Sequence, residues 1–268
     1  MHPIERLRFV ARASGAPADL LVRETAAALA SFRDDPQALV TACRRIVSRQ
    51  PSSGVLVWLA ARVLTAPDAL AELRAASDEV QDDPTPRELA HVLPDDATVC
   101  VVGWPDVVGA ALPRRGDLEV LVVDIGGEGT GLVGHLLRAD VEAVDVRERG
   151  LAAAVAAADL VLVEAAAVGP TEALVPVGSR AAAAVAATVD VPVWLVAGVG
   201  RLLPARMWDG FAARAVPAAL APWEADDERL PLALVDRVVG PWGLLEVDEA
   251  LRRVDCPVAP ELFRGDVF

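Results

Sequence analysis

The sequence predicts an α/β fold: an N-terminal helical domain followed by a Rossmann-like parallel-sheet domain. Up to about residue 80, apolar side chains recur at helical spacing. Beyond residue 98, short apolar runs rich in valine alternate with helical segments. The runs are continuous rather than alternating, as in strands buried on both faces of a parallel sheet. The expected division is a helical domain over 1–90 and a Rossmann-like domain over 91–268.

Pro17 to Phe32 places Leu21, Val22, Ala28, Leu29 and Phe32 on one apolar face, with Asp19, Arg23, Glu24 and Ser31 elsewhere. Pro17 suits a first turn, where its missing N–H is no loss. Pro36 to Val47 continues in the same manner. Ser52 or Ser53 is placed to cap a helix over Gly54 to Leu64, and Pro67 to Val80 gives one more. The polar, proline-bearing stretch 81–89 reads as a linker.

Five strands are expected after it, at 98–103, 118–125, 141–146, 160–165 and 191–198. Helical segments lie between them at Val107–Leu112, Leu132–Ala139, Arg149–Ala157 and Ser179–Ala187. Regular alternation of this kind is the pattern of a doubly wound sheet.

Composition narrows the function classes. The charge is −14, with arginine and no lysine supplying the fixed cations. That balance disfavours nucleic acid, whose phosphates need clustered cations. The absence of lysine, asparagine and tyrosine fits a GC-rich genome, and a high-salt cytoplasm would account for the acidic excess. No apolar run reaches the roughly 18 residues of a membrane span, and the charged start lacks a signal peptide's apolar core, so a cytoplasmic protein is expected. Cys43, Cys100 and Cys256, and likewise His2, His91 and His135, are too scattered for a disulfide scaffold or a metal site. No cofactor is expected.

Ligands of such folds sit beyond the carboxyl ends of the strands. Two stretches there invite a binding reading. Asp124 to Gly131 is a glycine-rich strand-to-helix turn that could bring backbone N–H groups to a phosphate, although it departs from the dinucleotide pattern. Gly178-Ser179-Arg180 opens an alanine-rich helix and could cap it or hold an anion. Asp124 and Glu164, at strand ends, are the acid/base candidates. Cys100, inside an apolar strand with no histidine near it in sequence, reads as inert filler.

Ala158-Asp-Leu-Val-Leu-Val-Glu-Ala165, Val177-Gly-Ser-Arg-Ala181 and Val191-Pro-Val-Trp-Leu-Val196 resemble the C-terminal half of one family. It comprises the alpha, beta and delta subunits of translation initiation factor 2B, methylthioribose-1-phosphate isomerase and ribose-1,5-bisphosphate isomerase. Pro51-Ser-Ser-Gly-Val-Leu-Val-Trp58 resembles the family's Arg-Pro-Thr-x-x-x-Leu-x-Trp segment. Thr98 to Val108 is similar to the strand and loop carrying the isomerases' cysteine, and Asp124 to Gly131 matches Glu-x-Arg-Pro-x-x-x-Gly in length. The resemblance spans about residues 17 to 260 and implies the helical-then-Rossmann architecture already read from periodicity.

It also implies lost chemistry. The cysteine position falls at Gly103 or Trp104, and the aspartate position at Ala166, or at Ala165 if the gap moves. The arginine of Glu-x-Arg-Pro is Gly126, and the family's Asn-Lys is Val175-Pro176. The ligand-binding residues carried over are Arg49, Ser52, Ser53, Asp124, Gly131, Gly178, Ser179 and Arg180. The expectation is a non-catalytic relative that binds a sugar phosphate or nucleotide, a protein partner, or both, as a homodimer through its Rossmann domain. A sugar-phosphate isomerase using Asp124 or Glu164 is the alternative, and a dinucleotide oxidoreductase ranks below it.

Overall fold

The computed structural model describes residues 17–216 and 221–264. Helices α1 (Ala18–Leu29), α2 (Pro36–Arg49), α3 (Gly54–Thr65), α4 (Ala69–Gln81) and α5 (Thr85–Val92) come first. Asp35 and Asp68 cap α2 and α4, each accepting two backbone N–H bonds of 3.0–3.1 Å. Ser53 stands at the N-cap of α3 but makes no side-chain cap, and Ser52 bonds elsewhere, so the expected serine cap is not formed. Helix α3 is buried nearly all round, with Trp58 at its centre. Its cluster also takes in Met207, Trp208 and Phe211 from far along the chain.

The stretch expected to be a linker is α5. Its prolines fall at the helix start, where a missing N–H costs nothing. Asp83 accepts the N–H of Thr85 at 2.9 Å and, through its other oxygen, that of Val199 at 2.9 Å. Leu89 and Leu93 then pack on the sheet. The two prolines and the polar run hid one apolar helical turn.

The strands follow as β1 (Thr98–Val102), β2 (Glu119–Asp124), β3 (Glu142–Arg147), β4 (Leu160–Glu164), β5 (Ala167–Val168), β6 (Glu172–Pro176), β7 (Val193–Val196), β8 (Asp227–Pro231), β9 (Arg237–Gly240) and β10 (Gly243–Glu246). The main sheet has the order β10-β9-β7-β4-β1-β2-β3 and is parallel except for β10. A second, antiparallel sheet, β5-β6-β8, was not foreseen, nor were β9 and β10. β5 has two residues, β8 is polar (Asp227-Glu-Arg-Leu-Pro), and β6 offers an apolar run of only three residues, Ala173–Val175.

Helices α6 (Asp106–Ala111), α7 (Gly129–Arg138), α8 (Leu151–Ala157), α9 (Ser179–Thr188), α10 (Ala205–Ala215) and α11 (Val247–Leu251) complete the set. Alternate residues of β1 serve opposite faces. Val99 and Val101 pack with α5, α6 and α7, whereas Cys100 and Val102 pack with α8, α9 and α11. Burial on both faces is why these strands read as unbroken apolar runs. No helix among the described residues is long and apolar enough to cross a membrane.

Candidate functional site

The chain winds from β1 through β2 to β3, then crosses to β4 on the other side of β1. This switch opens a crevice at the carboxyl ends of β1 and β4, the usual ligand position.

Glu164 ends β4 inside that crevice and is only 8% exposed. Val107 and Val108, in the first turn of α6, donate backbone N–H bonds of 2.8 and 3.1 Å to its Oε2. Its Oε1 lies 3.3 Å from Arg201 Nη2, and Arg201 Nη1 donates to the Ala165 carbonyl at 2.6 Å. Burial pushes the Glu164 carboxyl up, and Arg201 opposes that shift. Both oxygens are engaged, so Glu164 bolts β4 to α6 and to the loop after β7. A proton shuttle needs a freer carboxylate.

Asp124 plays a similar part at the end of β2. Its Oδ1 accepts the N–H groups of Gly127 (2.6 Å) and Gly129 (3.3 Å), shaping the turn into α7. Trp104 lies over Gly131, where a Cβ would come within 2.6 Å of the indole. The same indole stacks on His135, with centroids 6.0 Å apart, and is 42% exposed.

Gly178 takes a φ of +92°, and the Ile125 side chain fills the space beside its Cα. Ser179 is buried, and Arg180 donates its backbone N–H to Glu228 Oε1 at 2.9 Å. The start of α9 thus already holds a carboxylate. The Arg180 side chain points to solvent.

Ser52 donates to Asp227, whose carboxyl is pushed up by burial while that hydroxyl opposes the shift. Gly54 donates its N–H to the Ala166 carbonyl at 3.2 Å, and a Cβ on it would lie 2.5 Å from that oxygen. The start of α3 therefore rests on Ala166, the residue that the resemblance read from the sequence sets at the family's aspartate position. Arg49 is exposed on the last turn of α2, with no ion pair among the described residues.

Asp124, Glu164 and Gly178–Arg180 thus share one rim of the sheet, and Ser52 joins it through Asp227. Arg49 and Ser53 make no described side-chain contact with it. Sequence reasoning missed Arg201, Asp227 and Glu228. The last two sit in an acidic stretch that reads as a solvated loop, and nothing local marks Arg201. Cys100 is fully buried and its thiol is pushed up to about 12 by burial, as expected of inert filler. No group of three or more metal-ligating side chains among the described residues could hold a metal ion. His2 lies outside the described residues.

No protein-family model and no curated protein matches the chain. Among solved structures, it is similar to the translation initiation factor eIF-2B of Pyrococcus horikoshii OT3, with a TM-score of 0.75 and 14% identity over 93% of this chain and 98% of that one. It is also similar to eIF2B beta of Chaetomium thermophilum, with a TM-score of 0.73 and 18% identity over 97% and 91%. A third likeness is to the tetrameric eIF2B-beta2-delta2 complex of C. thermophilum, with a TM-score of 0.72 and 18% identity over 93% and 91%. The resemblance read from the sequence therefore holds for the fold over nearly the whole chain.

Proposed function

We propose that this chain is a non-catalytic relative of the initiation factor 2B subunits that works by binding protein, with its crevice closed to phosphorylated ligands by its own carboxylates. One observation carries the reading. Glu164, Asp124 and Glu228 sit on the backbone N–H groups at the starts of α6, α7 and α9, where a phosphate would otherwise be received. A negatively charged side chain already on such a seat repels a second anion.

The rest of the crevice agrees. Alanine stands at the aspartate position, and Trp104 beside Gly103 at the cysteine position. A self-association surface is available on α8 and α9, which carry one charged side chain between them, Arg180. Their outward alanines (Ala153, Ala156, Ala184) make a small, neutral face on a chain of charge −14, where two copies repel least. The homodimer is assigned to this face.

A thermal-shift series with ribose 1,5-bisphosphate, methylthioribose 1-phosphate, nucleoside monophosphates and NAD(P) is expected to leave the melting temperature unmoved. Light scattering is expected to give twice the chain mass, reverting to one in Ala156→Glu/Ala184→Glu. A clear shift with any sugar phosphate would overturn the closed-crevice reading.

The alternative, an isomerase with relocated chemistry, draws on Asp227. Burial raises its affinity for a proton and its described side-chain partner is the Ser52 hydroxyl, whereas both oxygens of Glu164 are already engaged. Ketose formation that disappears in Asp227→Asn would establish that alternative.

A further inference from the structure

Three residues at the mouth of the crevice are placed as the parts of a gate. Gly103, at the end of β1, takes a φ of +67°, and a Cβ added to it would meet nothing within 4 Å. Glycine moves out of such a conformation more readily than any other residue, so the peptide before Trp104 is a hinge with open space beside it.

Trp104 itself lies in a slot between two helices. Its ring comes within 2.6 Å of where a Cβ on Gly131 of α7 would stand, and its Nε1 within 3.0 Å of where one on Gly109 of α6 would stand. A larger residue on either helix would narrow the slot. The indole is nevertheless 42% exposed, so the slot grips only part of it. His135, one turn along α7 from Gly131, supplies the remaining wall. Its ring stacks on the indole with centroids 6.0 Å apart and planes 28° from parallel. His135 makes no hydrogen bond or ion pair among the described residues, so Trp104 is its one ring partner.

We infer that Trp104 gates the mouth of the crevice and that His135 is its pH-sensitive latch. The imidazolium holds the indole in the slot, and the neutral imidazole lets it swing out about Gly103. Histidine changes charge between about pH 5 and 8. An indole face attracts a cation at about this separation more strongly than it attracts a neutral ring. His135 also stands in the last turn of α7, where the end of the helix favours a cation.

The surrounding charges act in both directions. Asp106 on α6, Asp124 at the end of β2, Glu128 ahead of α7 and Asp145 on β3 are the carboxylates of the elements packed on α7. Arg138 on α7 and Arg147 on β3 are the cations. Asp145 accepts from Thr130 at 2.8 Å, which sets it, and Arg147 two residues on, on the α7 side of the sheet. Carboxylates outnumber guanidiniums there, which favours the imidazolium. Arg138, three residues beyond His135 on the helix, opposes it. The latch governs access to the crevice and stands whether or not the crevice takes a phosphorylated ligand.

The emission of Trp104, taken as the difference between the full chain and Trp104→Phe, reads the gate. Acrylamide should quench that component about two- to fivefold less at about pH 5 than at about pH 8, the range that an exposed cation–π contact supports. His135→Gln should abolish the difference and leave Trp104 as accessible as at the higher pH. His91→Gln, on an exposed position of α5, should leave the difference as it is. Arg138→Gln, also at an exposed position, removes the opposing charge and should carry the transition to higher pH. A purely structural role for His135 would leave the profile of that variant unmoved. A Trp104 signal that stays flat across this range, or a pH dependence that survives in His135→Gln, would overturn the inference.

Discussion

Two openings face the carboxyl edge of one sheet, and the chain treats them in opposite ways. At the switch between β1 and β4 it fills the space itself. Trp104 covers Gly131, Ile125 covers Gly178, and Arg201 neutralises Glu164. Beyond β7 and β9 it leaves about 500 Å³ open, and of the carboxylates that line it Asp78 and Asp82 have no side-chain partner among the described residues. The first arrangement satisfies every charge it buries. The second leaves charge unmatched at the end of a helix, where it costs stability. A site whose groups already satisfy one another has little interaction left for a ligand, whereas an unmatched site retains it.

Breaking the closed crevice should have the largest effect. Arg201→Met leaves Glu164 buried without its cation and is expected to cost about 3–5 kcal/mol in urea unfolding. The pH dependence has a definite sign. Burial raises the folded-state pKa of Glu164 above its unfolded value. Its favourable contribution is therefore present at acid pH and lost as the pH rises through the folded value. Removing Arg201 should enlarge that slope, so the variant regains stability on acidification from neutral pH.

Gly178→Ala comes next. A side chain at φ +92° is strained and also meets Ile125, for an expected loss of about 1–3 kcal/mol by the same measurement. Glu228→Ala removes the carboxylate on α9 and should cost about 1 kcal/mol. It is also the variant expected to gain a thermal shift with inorganic phosphate, because it vacates one anion seat. An unchanged response to phosphate would count against the closed-crevice reading. The smallest effect belongs to Gly131→Ala. Its Cβ meets only the half-exposed Trp104 ring, which can swing away, so less than about 1 kcal/mol is expected. A change in Trp104 fluorescence would report the movement.

These outcomes bear on how much could be read without coordinates. The strands β1, β2, β4 and β7 were legible because burial on both faces leaves an unbroken apolar run, whereas the edge strand β3 is exposed and was legible from its valines and its place in the alternation. The helices α1 to α4 were legible from their apolar spacing. Helix α5 was not, because two prolines and three acidic residues outweighed one apolar turn. The antiparallel sheet was hidden for a related reason. The two residues of β5 are too few to form a pattern, and β8 is held by pairing with β6 rather than by its own composition.

At the crevice, the strand-end carboxylates could be seen in the sequence. Their partners could not. Glu164 looked like a free acid at the end of a strand, and only its contacts with Val107, Val108 and Arg201 identify it as a brace. Asp227 is far from Ser52 in the chain, and their bond exists only because β8 runs beside β6.

Periodicity and composition by themselves determined the class of fold and the order of its two parts, because both depend on which side chains prefer water. The tertiary structure alone decided which charges are answered and which are left open. That depends on groups distant in sequence meeting within about 3 Å, a distance at which a carboxylate changes from a reactive group into a structural one.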